Sequence, residues 1–190
     1  MSVALEDDCR RSVAPADFAH AMRQLASGVS IITTDAGGIR VGVTATAVTS
    51  LSISPPSLIV CLNQNSSTGP LAAQSRCFAV NILAADQIDI SERFAGKGRL
   101  KGEARFAHGS WFAGITGAPI LSGALATLEC EVEEVIARHT HAILIGRVVH
   151  TATLPRKASL AYWQGSYVAI DRDEDLLRLA EVSVPSAKHG

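Results

Sequence analysis

The sequence predicts a mainly β protein, a closed or partly closed antiparallel barrel that carries a few helices. Three observations predict it. Short apolar and β-branched runs recur along most of the chain, separated by clusters of Gly, Pro, Asn and Ser that mark turns. No strand-helix-strand-helix alternation develops, which argues against a doubly wound parallel sheet. Closing such a set of strands on itself removes exposed edges, which favours a barrel.

The 190 residues suit one domain with a full core. Hydrophobic residues make up 47% and charged residues 18%, with a net charge of -1, so the electrostatic footprint of a nucleic-acid partner is missing. The longest apolar runs, such as Leu58 to Leu62, fall far short of the ~20 residues of a membrane span. The start carries Glu6, Asp7 and Asp8 and no apolar signal core, so a cytoplasmic location is expected. Cys9, Cys61, Cys77 and Cys130 are scattered without a C-x-x-C pair, and neither a disulfide framework nor a zinc site is expected.

Residues 1–12 read as a mobile arm, 13–170 as the domain, and 171–190 as a tail with a short helix at Glu174 to Glu181. Pro15-Ala16-Asp17 opens a helix with Phe18, Met22 and Leu25 on one apolar face and Gly28 as its stop. Val29 to Thr34 is a strand, Asp35 to Gly38 a tight turn, and Ile39 begins the return strand of a hairpin. Gly42 to Ser50 reads as a single strand, with Thr44, Thr46 and Ser50 on one side and Val43, Ala45 and Ala47 on the other. This is the pattern either of an ordinary half-buried strand or, because side chains are small on both sides, of a surface where a flat ligand takes hydrogen bonds from backbone and hydroxyls together.

Pro55-Pro56 marks a corner, and Ser57 to Leu62 is the next strand. Asn63 to Pro70 then leads into a short helix from Leu71. A helix start capped by Ser or Thr offers unpaired N–H donors and a positive dipole end, which suits either a simple capped helix or a seat for phosphate. Cys77 to Leu83 is a strand and Ala84 to Ala95 a helix with Ile88, Ile90 and Phe94 on its apolar side. The Gly-rich loop from Gly96 to Ser110 carries Lys97, Arg99, Lys101 and Arg105, which suit either an anionic ligand or a solvated surface.

The last third is all β. Ala126, Leu128, Cys130 and Val132 alternate with Thr127, Glu129, Glu131 and Glu133, the signature of a strand with one wet face. His141 to His150 is another strand, and Tyr162 to Ile170 a single strand that closes the sheet. His139 and His141 place two imidazoles on one strand face, but no third ligand is evident and no metal is expected. Neither common nucleotide cradle nor a serine nucleophile elbow is present.

Several ordered pieces carry a resemblance: Gly28 to Thr34, Gly42 to Ser50, Pro55-Pro56, Val60 to Asn63, Phe78 to Leu83, Gln87 with Ser91 to Ala95, Gly117 to Leu121, and His141 five places before Gly146. In this order and spacing the chain, from about Phe18 to Ile170, resembles the short-chain flavin reductases of the flavin reductase-like, FMN-binding split-barrel family. These are the reductase partners of two-component monooxygenases. The resemblance implies an antiparallel split β-barrel of Greek-key type with a few peripheral helices. It implies FMN or FAD as cofactor, NADH or NADPH as hydride donor, a homodimer, and a flavin-dependent monooxygenase that receives the reduced flavin.

By the same resemblance, Gly42, Val43, Thr44, Thr46 and Ala47, extending to Thr49 and Ser50, are ring and ribityl contacts. Cys61, Leu62 and Asn63 form a second flavin-contacting segment, Ser66, Ser67 and Thr68 a phosphate corner, and Arg93 and Phe94 a contact from the middle helix. His141 matches the histidine of the family's Gly-Asp-His motif, near the nicotinamide and so the catalytic candidate; His139 and Thr140 replace the other two positions. Gln164 and Tyr167 lie in the segment that closes over the nicotinamide side. A non-catalytic flavin-storage barrel and a split-barrel oxidase with tightly held FMN are the competing expectations.

Overall fold

A computed structural model describes residues 12–154 and 158–171. Apart from Ser12, the predicted arm lies outside these residues, as does the predicted tail helix. Three helices are present among them: α1 (Pro15–Met22), α2 (Thr68–Ser75) and α3 (Ile88–Ala95). The strands are β1 (Ser27–Gly28), β2 (Ser30–Ala36), β3 (Ile39–Ala45), β4 (Val48–Ile53), β5 (Pro56–Asn63), β6 (Cys77–Ile82), β7 (Trp111–Ala113), β8 (Pro119–Leu121), β9 (Ala126–Arg138), β10 (His141–Thr153), β11 (Ser159–Trp163) and β12 (Ser166–Ile170). No helix among the described residues is long and apolar enough to cross a membrane.

Seven strands form one antiparallel sheet in the order β3-β2-β6-β9-β10-β5-β4. Past the end of β3, Ala47 O accepts the Cys61 N–H of β5 at 3.0 Å, so the two ends of the sheet are drawn together into a barrel. Ile32, Leu58, Val60, Phe78, Val80, Cys130 and Leu144 fill its interior. A second core, with Val29, Ile31, Leu83, Phe94, Phe106, Leu121 and Leu160, lies outside the barrel wall. Ile31 and Ile32 are adjacent and both fully buried, because successive strand residues face opposite sides and β2 is covered on both. The rings of Phe94, Phe106 and Trp111 meet at centroid distances of 5.0 to 5.3 Å in this outer core.

The β2–β3 hairpin turns through Gly37 and Gly38, both at positive φ, as a two-residue turn requires. Buried Asn81 fastens β8 to the barrel: its Nδ2 donates to Ile31 O and Thr33 Oγ1 at 3.2 Å, and its Oδ1 accepts Leu121 N–H at 2.8 Å. Each polar atom of that amide is thereby satisfied inside the core.

Several elements depart from the sequence expectation. Gly42 to Ser50 is two strands, broken at Thr46-Ala47 where the chain leaves β3 for β4. Tyr162 to Ile170 is a hairpin, reversing at Gln164-Gly165 with φ +49 and +84, and it forms a separate sheet with β1. Helix α1 stops at Met22 and buries none of its residues; α2 starts at Thr68, earlier than Leu71. A 3-10 turn at Ala85–Gln87 precedes α3, whose buried residues are Ile90, Ser91 and Phe94, with Ile88 exposed.

The wet face predicted for β9 is partly dry. Thr127 and Glu129 are buried, since the segment from Trp111 to Leu121 folds over them and Glu129 Oε2 accepts the N–H and hydroxyl of Thr116, each at 2.8 Å. His139 does not share a strand face with His141: it lies in the β9–β10 turn at φ +48. Among the described residues no cluster of three or more candidate metal ligands occurs.

Candidate active site

Antiparallel register assembles one end of the barrel from distant parts of the chain. The bond from Cys61 N–H to Ala47 O sets the Thr46-Ala47 break beside the end of β5. Two residues further along β5, Asn63 is the register partner of His141, the first residue of β10. Beyond Asn63 the chain turns sharply: Asn63 O accepts Ser66 N–H at 2.9 Å and Asn63 Oδ1 accepts Asn65 N–H at 2.9 Å. Thr68 N–H then donates to Ser66 Oγ at 3.2 Å as α2 begins. Thr46, Ala47, Thr49, Ser50, Asn63, Ser67 and His141 are exposed here, and Cys61 and Ser66 half-buried.

Thr68 has a distinct place at the start of α2. Its hydroxyl is buried and has no hydrogen-bond partner among the described residues, and Ser67 beside it, at the N-cap, makes no side-chain cap bond among them. An orphaned buried hydroxyl is costly in a folded chain unless something else satisfies it.

Other candidates from the sequence are packing residues. Gly42 is buried against Phe94, where an added Cβ would come within 2.7 Å of the ring and 3.1 Å of Ile32 O. Phe94 is itself fully buried in the outer core, so its ring is not free to touch a ligand. Leu62 faces the barrel interior, and Val43, half-buried, packs on the same core. The Thr44 hydroxyl donates to Ser91 O at 2.6 Å, and the Tyr167 hydroxyl is 2.9 Å from Ser91 Oγ. Ser91, fully buried, thus ties β3 to β12; the sequence reading assigned it no role.

Thr46 and Gln164 share one cavity of about 300 Å³, whose other walls are Ala19, Met22, Arg23, Leu25, Ser27, Tyr162 and Gly165. The contribution of α1 was not anticipated, although its apolar face was. That helix is tied to the β11–β12 turn by Gln164 N–H to Arg23 O at 3.0 Å, Gln164 Nε2 to Gln24 Oε1 at 3.1 Å and Trp163 Nε1 to Gln24 O at 3.1 Å. Arg93 lies elsewhere. It lines a separate cavity of about 310 Å³ with Asp89, Glu92, Lys97, Gly98, Leu100 and His108, and Nη1 donates to Ala104 O at 3.3 Å.

Two basic residues of the Gly-rich loop, Lys97 and Arg105, are committed to structure, and its Glu103 holds Arg40 of β3. Lys97 pairs with Glu92. Arg105 donates to Gly42 O at 2.8 Å and Leu100 O at 3.0 Å, and partial burial lowers its pKa from the ordinary arginine value. The buried thiol of Cys130 is pushed up to about 12 by desolvation, and that of Cys77 is raised first by burial and then by Glu131 and Glu129.

A sequence model of the flavin reductase-like domain matches residues 22–171. The chain belongs to this family. Among flavin reductase-like relatives, the FMN reductase (NADH) RutF of Cronobacter sakazakii is 39% identical over 155 residues, covering 82% of this chain and 92% of the relative. The flavin reductase component of a bacterial two-component tryptophan halogenase superposes with a TM-score of 0.77 at 27% identity, covering 83% of this chain and 99% of that one. The NADH:FAD oxidoreductase of Streptomyces globisporus, in complex with NAD and FAD fragments, gives a TM-score of 0.77 at 26% identity, covering 86% and 99%. The antiparallel barrel with few helices is the split-barrel fold of these flavin reductase-like neighbours.

Proposed function

We propose that this protein is an NADH-dependent flavin reductase that acts on FMN and passes the reduced flavin to a separate oxygenase. The observation that carries the reading is the convergence, at one barrel end, of the bare Thr46 to Ser50 run, the end of β5, the start of α2 and His141. The residues present fit a flavin phosphate: a buried hydroxyl without a partner among the described residues, Thr68, stands at a helix start beside the exposed Ser67. Relatives named as NADH-dependent FMN reductases support that choice of flavin and donor.

Flavin, when bound, supplies a ring that accepts hydride from the reduced nicotinamide. This chain's part is to hold and orient. Backbone groups and hydroxyls of Thr46 to Ser50, with Cys61 and Asn63, would hold the ring. Ser66, Ser67 and Thr68 would hold the phosphate, where the dipole of α2 favours negative charge. His141 and Gln164 orient the nicotinamide. Short side chains along the run suit a flavin that departs after reduction.

The protein acts as a homodimer. Phe18 and Met22 of α1, Leu25 just beyond it, Leu51 and Ile53 of the edge strand β4, and Trp163 and Ile170 of the small sheet are exposed apolar residues of the kind a partner copy covers. A flavin-dependent monooxygenase is the oxygenase partner, a reading supported by the resemblance to a homologue of nitrilotriacetate monooxygenase component B from Mycobacterium thermoresistibile, 29% identical with a TM-score of 0.75.

Mixing the protein with NADH and excess FMN, and following nicotinamide absorbance, tests the activity. Many turnovers per protein are expected; loss of one equivalent of NADH and then nothing would overturn it.

A further inference from the structure

The β9–β10 turn reverses the chain over His139 and Thr140, with Arg138 paired to His141 across it. One residue holds this turn in place. Gln64, just past β5, donates its backbone N–H to Thr140 O at 2.9 Å and its Nε2 to His139 O and His141 O at 3.0 Å each. The carbonyls of His139, Thr140 and His141 therefore all face one glutamine. On this fixed backbone, Thr140 Oγ1 lies 2.8 Å from His141 Nδ1.

We propose that Thr140 is a positioning residue for His141: its hydroxyl donates to Nδ1, fixing the ring's orientation and leaving Nε2–H as the donor offered to the nicotinamide carboxamide. The inference rests on the flavin reductase reading and on His141 as the nicotinamide contact. Which imidazole nitrogen carries the proton is set by the bond the other nitrogen makes. A hydroxyl does this without charge, whereas a carboxylate at the same place would favour imidazolium. The charged and titratable groups flanking His141 are Arg138 and His139 on the turn; β5 and its loop contribute the neutral Asn63 and Gln64. Thr140 is exposed, and substitution there disturbs no core packing.

The test uses Thr140→Val, Thr140→Ser, Thr140→Asp and His141→Ala in the full chain, assayed with NADH and FMN across pH. Thr140→Val is expected to raise the KM for NADH about threefold to tenfold, the loss of one hydrogen bond, with the KM for FMN unchanged. Thr140→Ser restores the NADH value to within about twofold, and Thr140→Asp moves the histidine limb of the pH profile up by about one unit. Imidazole 15N shifts are expected to show Nδ1 unprotonated and Nε2 protonated in the parent, and a tautomer mixture in Thr140→Val. If His141→Ala impairs NADH use while Thr140→Val leaves NADH KM and tautomer unchanged, the positioning role is overturned. If His141→Ala itself leaves NADH kinetics unchanged, the nicotinamide reading beneath it falls instead.

Discussion

Two neighbouring runs of the chain have nearly the same chemistry and opposite circumstances. Gly42 to Ala45, at the end of β3, and Thr46 to Ser50, the break and the start of β4, are both small, β-branched and hydroxylated. The first run is covered: Gly42 packs against Phe94, Thr44 is bonded to Ser91 O and Ala45 is buried in the barrel. The second is uncovered apart from Val48, and Thr46 opens into a cavity. Small residues in the first run let α3 and the aromatic outer core approach the barrel wall. In the second they leave backbone and hydroxyls exposed.

The contrast breaks most sharply at Gly42. Gly42→Val forces a Cβ and two methyl groups into the space of the Phe94 ring, and about 2–3 kcal/mol of stability is expected to be lost in denaturant unfolding. Unchanged unfolding would show that the first run is not packed as described. The converse substitution is Thr46→Trp, which fills the cavity with an indole. It is expected to raise the KM for FMN or NADH about tenfold, roughly 1.4 kcal/mol, with the thermal midpoint unchanged. A lowered midpoint with intact kinetics would make the second run structural as well.

Thr44→Val sharpens the comparison because it keeps shape and removes only the hydroxyl that donates to Ser91 O. About 1 kcal/mol of stability is expected to go, with flavin kinetics unaltered. The smallest effect concerns Arg40, also on β3, whose hydrogen bond holds the Glu103 carboxyl below the ordinary glutamate range. A lowered folded-state pKa stabilises above the unfolded value of about 4.3 and ceases to do so as pH falls through the lower folded value. Since both side chains are substantially exposed, Glu103→Gln is expected to cost about 0.5 kcal/mol or less at neutral pH. The stability difference between parent and variant should shrink as pH falls below the unfolded value of about 4.3 and through the lower folded one; a gap that widens in acid would reverse the assignment.

The fold was legible where one residue type dominates a local pattern. The glycine pair at the β2–β3 turn, the apolar runs of β2, β5 and β6, and the alternation in β9 all point to their elements directly. What escaped depends on neighbours far along the chain. Nothing near Glu129 announces that Thr116 will cover it, and nothing in Tyr162 to Ile170 beyond Gly165 marks the reversal that makes two strands of one.

The site divides in the same way. Its outline follows from small hydroxylated runs and a helix start, but separating Thr44 from Thr46, or Phe94 from Asn63, requires knowing what α3 covers. Ser91 and Gln64 were invisible as organisers because their bonds reach Tyr167 and the β9–β10 turn, more than 70 residues away.

Backbone amide shifts of the protein titrated with FMN test the central claim most directly. Perturbations concentrated at Thr46 to Ser50, Asn63 to Thr68 and His141, with the interior of β3 moving little, are the predicted result. Shifts confined to Asp89, Arg93, Lys97 and His108, around the other cavity, would contradict it and move the flavin to the far side of α3.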